Sequence, residues 1–366
     1  MGNGAGAVEG LVMNDGFWQG KRVFLTGHTG FKGAWLSLLL HRLGAEVAGY
    51  ALAPPTDPSL FVLARIGELV SDRRGDVRDL PGLTSALAEF APEIVIHMAA
   101  QPLVRAGYAD PVETYSTNVL GTVHLLESVR HCPGVRAVVN VTSDKCYEHP
   151  AKAGGCREGE ALGGDDPYSS SKACAELVTQ AYRSAYFGGG QGAVLASARA
   201  GNVIGGGDWA ADRLVPDCVR ALLAGQPLTV RNPRAVRPWQ HVLDPLAGYL
   251  LLARRLYEDG ANFAGAWNFG PAEPAPATVS EILRRFSRAW GAEISVELDS
   301  DEDAPPEAPM LTLDSAKARR DLGWQPRWPL DETLRRTVAW YRAYADGADM
   351  REISSLQIND YLAAGR

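Results

Sequence analysis

RVFLTGHTGFKG, residues 22–33, is the stretch on which the fold turns. RVFLT (22–26) is apolar and β-prone and reads as a buried strand. Gly27, Gly30 and Gly33 follow at once in the spacing GxxGxxG, and FKGAWLSLLLHRLG (31–44) reads as a helix closed by Gly44. A strand passing through a glycine turn into a helix lets the backbone come close to a pyrophosphate. The helix N-terminus then supplies N–H donors and a positive dipole. Gly27, Thr29, Gly30, Phe31, Lys32 and Gly33 are therefore expected to line a bound dinucleotide.

Outward from this loop the alternation continues. EVAGYAL (46–52), EIVIHMAA (93–100), RAVVNVT (136–142) and AVLASARA (193–200) read as strands. LPGLTSALAEF (80–90), PVETYSTNVLGTVHLLESVRH (111–131) and PYSSSKACAELVTQAYRSAYF (167–187) read as helices. Near-continuous apolar strands between helices predict an α/β fold, a doubly wound parallel sheet of Rossmann type covered on both faces. Beyond residue 200 Gly, Pro, Trp and Arg become denser, and helices such as VSEILRRFSRAWG (279–291) stand between loops. The expected division is a disordered leader (1–16), a dinucleotide-binding domain (17–200) and a smaller, mainly substrate-binding C-terminal domain (201–366) interleaved with the last strands. DSDEDAPPEAP (299–309) reads as a surface loop.

The 366 residues are 46% hydrophobic and carry a formal net charge of −7. That balance argues against general nucleic-acid affinity, while leaving room for a local basic pocket. Five cysteines without a CxxC pair and seven histidines without short helical spacing argue against a disulfide framework or a metal site, so a reducing cytoplasm is expected. The longest apolar run, AWLSLLL, is too short for a membrane span.

Two further constellations carry chemistry. Tyr168 and Lys172 form YxxxK, one turn apart on one helix face, where an ammonium is expected to lower the phenol pKa and make a base of it. TSDKCYE (142–148) leaves a strand at its C-terminal end, the edge of an open α/β sheet where ligands bind. One hydroxyl there, Ser143, suffices for a simple dehydrogenase; Asp144 and Lys145 exceed that need and suit a second acid and a second base.

The glycine spacing with YxxxK resembles the short-chain dehydrogenase/reductase superfamily. That resemblance implies that Lys172 also holds the nicotinamide ribose, that Ala99, Ala100 and Gln101 line the cofactor, and that Asp76 and Val77 follow the third strand at the adenine. It leaves Asn118 a possible site residue behind them. The second strand lacks the usual ribose-binding acid, running Tyr50, Ala51, Leu52, Ala53, and no Arg stands there for a 2′-phosphate, so NAD is favoured over NADP.

TGHTGFKGAWL (26–36), YALAPPTDPSLF (50–61), TSDKCYE, DPYSSSKACAELV (166–178), ARAGNVIGGGDWAADRLVP (198–216) and VRPWQHVLDPLAGYL (236–250) together resemble the nucleotide-sugar 4,6-dehydratases of the extended superfamily. The Asp–Lys pair is the form typical of the branch acting on CDP-glucose. The resemblance covers about residues 18 to 345. It implies Tyr168 as base for O4, Ser143 as hydroxyl holder, Asp144 as acid for the departing hydroxyl and Lys145 near C5. It also implies a homodimer through helices 111–131 and 167–187, packed as a four-helix bundle. Gln101, Ser143, Asn202, Arg213, Arg231, Arg237 and His241 are expected at the substrate, the arginines facing its diphosphate. A 4-epimerase would use the same glycines, Tyr168 and Lys172 without needing Asp144–Lys145. A non-catalytic cofactor-binding regulator would not need the Tyr–Lys pair.

Overall fold

The computed structural model describes residues 15–148, 154–187, 192–271, 277–299 and 310–364. The leader expected over 1–16 and the loop expected over 299–309 lie almost wholly outside the described residues.

Six strands in chain order, β1 (Arg22–Thr26), β2 (Glu46–Ala51), β3 (Ser71–Arg74), β4 (Ile94–His97), β5 (Ala137–Val141) and β6 (Val194–Ala200), join a seventh, Gly265–Phe269, in one sheet. From one edge the order is Gly265–Phe269, β6, β5, β4, β1, β2, β3, and every pairing is parallel. The strand order reverses between β1 and β4, the switch point at which such sheets open a crevice. Ile94, Val95, Ile96, Val138, Val139, Leu195 and Ala196 are fully buried, as strands covered on both faces require.

The ends of these elements have local causes. β4 ends at His97: the Met98 N–H is shared between the Thr26 carbonyl at 3.2 Å and the Thr26 hydroxyl at 3.1 Å, and the Ala99 N–H goes to that hydroxyl at 3.1 Å. The first helix, Phe31–Arg42, is followed by Gly44 at φ +84°, the left-handed turn that a glycine takes without a Cβ penalty. The helix from Pro111 is not uniform: Pro111–Tyr115 and Gly121–Arg130 are α-helical, but Ser116–Leu120 is a π segment.

β3, sequence SDRR, is exposed along its length. As an edge strand it has no apolar signature, which is why the third strand expected before Asp76 could be given no residues from the sequence. After β6 the chain makes short strand pairs and the helix Leu214–Ala224. It then returns through the helix Leu243–Asp259, which packs against β5 and β6, before entering the sheet as Gly265–Phe269.

Candidate active site

The loop between β1 and the first helix is tight for identifiable reasons. A Cβ on Gly33 would lie 2.1 Å from the Gly27 carbonyl oxygen, and one on Gly27, at φ +76°, would lie 2.7 Å from the Ala99 backbone nitrogen. Only the Gly27 carbonyl oxygen, at 3.5 Å, approaches a Cβ on Gly30, so the loop is open on that side. Gly30 caps the helix without a side-chain hydrogen bond, leaving the first-turn N–H groups to an anion. These features fit a dinucleotide pyrophosphate. At the adenosine end the Thr29 hydroxyl donates to the Leu52 carbonyl at 3.0 Å. The sequence reading sees no Arg at this strand end, yet the β2–β3 register brings Arg74 there from the neighbouring strand. It donates to Leu52 O at 3.0 Å and pairs with Asp72 at 2.8 Å, so its charge is already compensated. The Arg78 guanidinium grips Asp76 and holds its carboxyl below the ordinary range, and Val77 is buried.

Asn118 sits in the π segment, whose extra residue turns it inward. Its amide oxygen accepts the Gln101 N–H at 2.8 Å, and its nitrogen donates to Gln101 O at 3.1 Å and to Ser171 Oγ at 2.9 Å. It therefore ties the β4 exit to the helix Pro167–Ala185. The Gln101 side chain is itself engaged by the Leu103 backbone in its own loop and by the Thr114 hydroxyl on the helix Pro111–Tyr115.

That helix begins at Pro167, with Asp166 as N-cap accepting the Ser169 N–H at 2.9 Å. Its second residue, Tyr168, is buried and hydrogen-bonded to Ser143. Burial pushes the Tyr168 phenol up to about 12; the Ser143 bond and the Arg213 charge oppose this, while Asp144 and Asp166 add to it. The expectation that Lys172 lowers this pKa is not met. Lys172 turns its Nζ toward the Val141 carbonyl, at 3.4 Å, and is not among the leading influences on the phenol. Burial lowers Lys172 itself to about 8, against the opposing charge of Glu176.

Ser143, Asp144 and Lys145 leave β5 as a short 3₁₀ turn. Ser143 Oγ donates to Asp144 Oδ1 at 3.1 Å and accepts the Lys145 N–H at 3.2 Å. Asp144 is 4% exposed and burial raises its carboxyl, opposed by Lys145 and Arg237; its Oδ2 is buried without a partner. The backbone of Gly201 makes room for it, since a Cβ there would lie 2.7 Å from Asp144 Oδ2. A buried carboxyl held toward its neutral form can donate a proton. Lys145 is half-buried beside it.

The substrate-side residues divide. Arg213 pairs with Asp208 at 2.9 Å and its charge reaches Tyr168. Arg231 pairs with Asp212 at 3.2 Å. Arg237 is buried and its charge reaches Asp144. Asn202 is half-buried between Gly201 and Val203, its carbonyl accepting the Gln240 N–H at 3.1 Å. His241 does not join them: it is fully buried, edge-on to Trp328 and Trp35 at 4.6 and 6.1 Å, and burial lowers it to about 3. It belongs to the core, a correction to its expected place at the substrate.

Tyr249 escapes the sequence reading. The helix Leu243–Asp259 presents its hydroxyl to Lys32 Nζ at 3.0 Å, and the charges of Tyr168 and Asp144 raise it beyond the effect of burial. Lys32 is lowered to about 7 by burial and by Lys172 and Arg213. The one hint in the sequence is that Tyr249 lies within VRPWQHVLDPLAGYL, a stretch similar to the dehydratases.

Residues 24–337 match the family described as GDP-mannose 4,6 dehydratase. The chain belongs to this family. Within it the chain is 54% identical over 357 residues to the CDP-glucose 4,6-dehydratase of Salmonella typhimurium, covering 96% of this chain and 99% of that one. It is 29% identical to the dTDP-glucose 4,6-dehydratase of Streptomyces antibioticus over 87% of this chain and 92% of that one. Among solved structures, the UDP-glucose 4-epimerase of Thermus thermophilus, complexed with NAD, superposes with a TM-score of 0.75 at 28% identity, over 88% of this chain and 99% of that one. Like that neighbour, this family member is an NAD-dependent enzyme of Rossmann fold. Among its described residues no helix is long and apolar enough to cross a membrane.

Proposed function

We propose that the chain converts CDP-glucose to CDP-4-keto-6-deoxyglucose and water. The observation that carries this reading is the buried carboxyl of Asp144 joined through Ser143 to Tyr168, in a chain 54% identical to a CDP-glucose 4,6-dehydratase. When bound, NAD supplies the acceptor and later the donor of one hydride, taken from C4 and returned at C6.

The chain's own groups do the rest. Tyr168 takes the proton of the 4-hydroxyl in its phenolate form, which the Ser143 bond and the Arg213 charge favour against burial, and Ser143 orients that hydroxyl. The C4 ketone makes the C5 proton acidic, and Lys145, half-buried beside Asp144, removes it. Asp144, held toward its neutral form, protonates the C6 hydroxyl, which departs as water. Lys172 orients the nicotinamide ribose. Gly27, Thr29, Gly30, Phe31, Lys32 and Gly33 hold the pyrophosphate, and Asp76, Val77, Ala99, Ala100 and Gln101 line the remainder. Asn202, Arg213, Arg231 and Arg237 close over the nucleotide diphosphate. Residues 17–200 supply most of the NAD site and 201–366 most of the substrate site. The enzyme works in the cytoplasm.

It works there as a homodimer. Val112 is 77% exposed, and Leu120, Tyr115 and Cys174 lie beside it on an apolar face formed by the two long helices. Apolar area of this kind favours a self-complementary helix-bundle interface.

The test incubates the purified protein and NAD with CDP-, dTDP- and UDP-glucose and GDP-mannose. The expected result is a keto product lighter by one water from CDP-glucose, with the other sugars turned over far more slowly. An epimer of unchanged mass would overturn the reading in favour of a 4-epimerase.

A further inference from the structure

Between the short strand Val203–Ile204 and the helix Leu214–Ala224 the chain crosses above the catalytic residues. Arg213, at the end of this crossing, bonds Asp208 at 2.9 Å and acts on Tyr168. Its neighbour Asp212 faces differently. Asp212 stands at φ +61°, in the left-handed region that non-glycine residues enter at a cost of order 1 kcal/mol.

In that conformation the Asp212 carboxylate meets two guanidinium groups. Oδ1 lies 3.2 Å from Arg231 Nη2 and 3.7 Å from Arg105 Nη1. Arg231 follows the strand Leu228–Val230 in the C-terminal part of the chain. Arg105 comes from the opposite side, on the helix Val104–Ala109 that follows the β4 exit. Gly107 lets that helix pack against Tyr168, since a Cβ there would stand 3.3 Å from the Tyr168 backbone nitrogen. The second terminal nitrogen of Arg231, Nη1, is buried without any partner.

Two cations from opposite walls thus share one half-exposed carboxylate, and a buried donor is left over. One carboxylate cannot satisfy two forked guanidinium groups; a diphosphate, with more charge and more acceptor oxygens, can. We infer that Asp212 is a resident counter-anion keeping the place of the substrate's diphosphate between Arg231 and Arg105, and that Arg105 becomes a diphosphate ligand when Asp212 is displaced. The inference rests on the proposed placement of Arg231 at the nucleotide. It adds a ligand from the cofactor-binding side, so that the diphosphate bridges both walls of the cleft. Displacement also frees Asp212 from a strained backbone held in place by its two ion pairs.

The experiment measures calorimetric binding of CDP, UDP and dTDP, without sugar, to the NAD-loaded protein. Asp212→Asn and Asp212→Gly both remove the competing charge, and the glycine also relieves the backbone. Both are expected to bind the diphosphate preferred by the wild type about 2–5-fold more tightly, the scale of a partly exposed ion pair. Arg105→Gln removes a charged donor and is expected to weaken binding by roughly 10-fold or more. Unchanged or weaker binding by both Asp212 variants overturns the inference. So does tighter binding by Arg105→Gln, which would make Arg105 a mere prop for Asp212. Absence of binding to every one of the proteins overturns it as well. A preference for UDP or dTDP over CDP would count against the proposed substrate while leaving the ratios between variants to decide the role of Asp212.

Discussion

Glu176 and Arg199 form a two-pronged ion pair behind the catalytic helix, with Nε–Oε1 at 2.9 Å, Nη2–Oε2 at 2.8 Å and side chains 4% and 3% exposed. Glu176 lies one turn beyond Lys172, and Thr142, at the head of TSDKCYE, and Ser197 donate to it at 2.5 and 2.6 Å. Arg199 in turn donates to the hydroxyl of Tyr147, near the end of the same stretch, at 2.8 Å. The pair therefore holds both ends of the turn carrying Ser143, Asp144 and Lys145. Glu176→Gln would leave a buried guanidinium short of its counter-charge, and a loss of about 3–5 kcal/mol in urea unfolding is expected. Without the Glu176 charge, Lys172 should also fall further below its present value of about 8, visible as a shift to lower pH when Lys172 is titrated.

Tyr168→Phe keeps the ring and removes the base. Turnover is expected to fall roughly 10²–10⁴-fold, the usual range for a proton-transfer group. Calorimetric affinity for CDP-glucose should change little, since in the proposed mechanism the phenol serves the sugar's reacting hydroxyl and no other substrate group. Unchanged turnover would remove Tyr168 from the chemistry.

Asp144→Asn separates stability from activity. The folded-state pKa of Asp144 is raised above its ordinary value, so any stability its protonation contributes is complete at low pH and lost as pH rises through the raised value. As pH rises the wild type carries the growing cost of ionising a buried carboxyl, and asparagine does not. The variant should melt higher by about 2–4 °C at pH 8. The difference should shrink toward acid pH, where the wild-type proton is on in both states. Dehydration should fail throughout, because an amide cannot protonate the leaving hydroxyl. A variant melting lower at pH 8 would mean that Asp144 is compensated by groups such as Arg237.

Lys145→Met removes the amino group at similar length. Tyr168, Ser143 and Lys172 remain, so oxidation at C4 should survive. The products of a single turnover should include a 4-keto sugar that still carries its 6-hydroxyl, identified by mass. Exchange of the C5 proton with heavy water should slow more than oxidation does. Dehydration at the full rate would make Lys145 an ordinary loop residue.

Gly33→Ala tests the cradle. Its Cβ would stand 2.1 Å from the Gly27 carbonyl oxygen, a backbone atom that cannot step aside without opening the β1 turn. NAD affinity, followed by fluorescence titration, should drop by at least about 10-fold, the scale of one lost charged hydrogen bond. Gly30→Ala, whose Cβ would meet only that carbonyl at 3.5 Å, should still fold and serves as the comparison.

Much of this architecture was legible because buried parallel strands are written as apolar runs. β1, β2, β5 and β6 were read to within a residue or so, since nothing but burial on both faces explains RVFLT or AVVNV. β4 was read too long because past His97 its N–H groups bond a hydroxyl on another strand, Thr26. β3 was expected only as a third strand before Asp76, with no residues given, because SDRR at a sheet edge needs no apolar face. At the site, Tyr168, Ser143 and Asp144 were legible from motif and position, and the structure brings them together. His241 was misplaced because a polar residue in a functional stretch looks the same in sequence whether it faces a ligand or two tryptophans. Arg74 was invisible and Tyr249 was marked only by its place in a dehydratase-like stretch, because each reaches its place through strand register or through a helix distant in sequence.

The seventh strand bears on how the molecule is made. β6 is the outer strand of the sheet until Gly265–Phe269 pairs with it, and some 65 residues must be synthesised between the two. During that interval a growing chain presents an unpaired row of backbone groups beside Leu195, Ala196 and Ala198, all fully buried in the finished protein. Such an edge invites pairing with other chains. A fragment ending near residue 200 would keep that edge for good and should aggregate on the ribosome's exit side or in the test tube. The first six strands thus depend on the chain's later part to stay in solution.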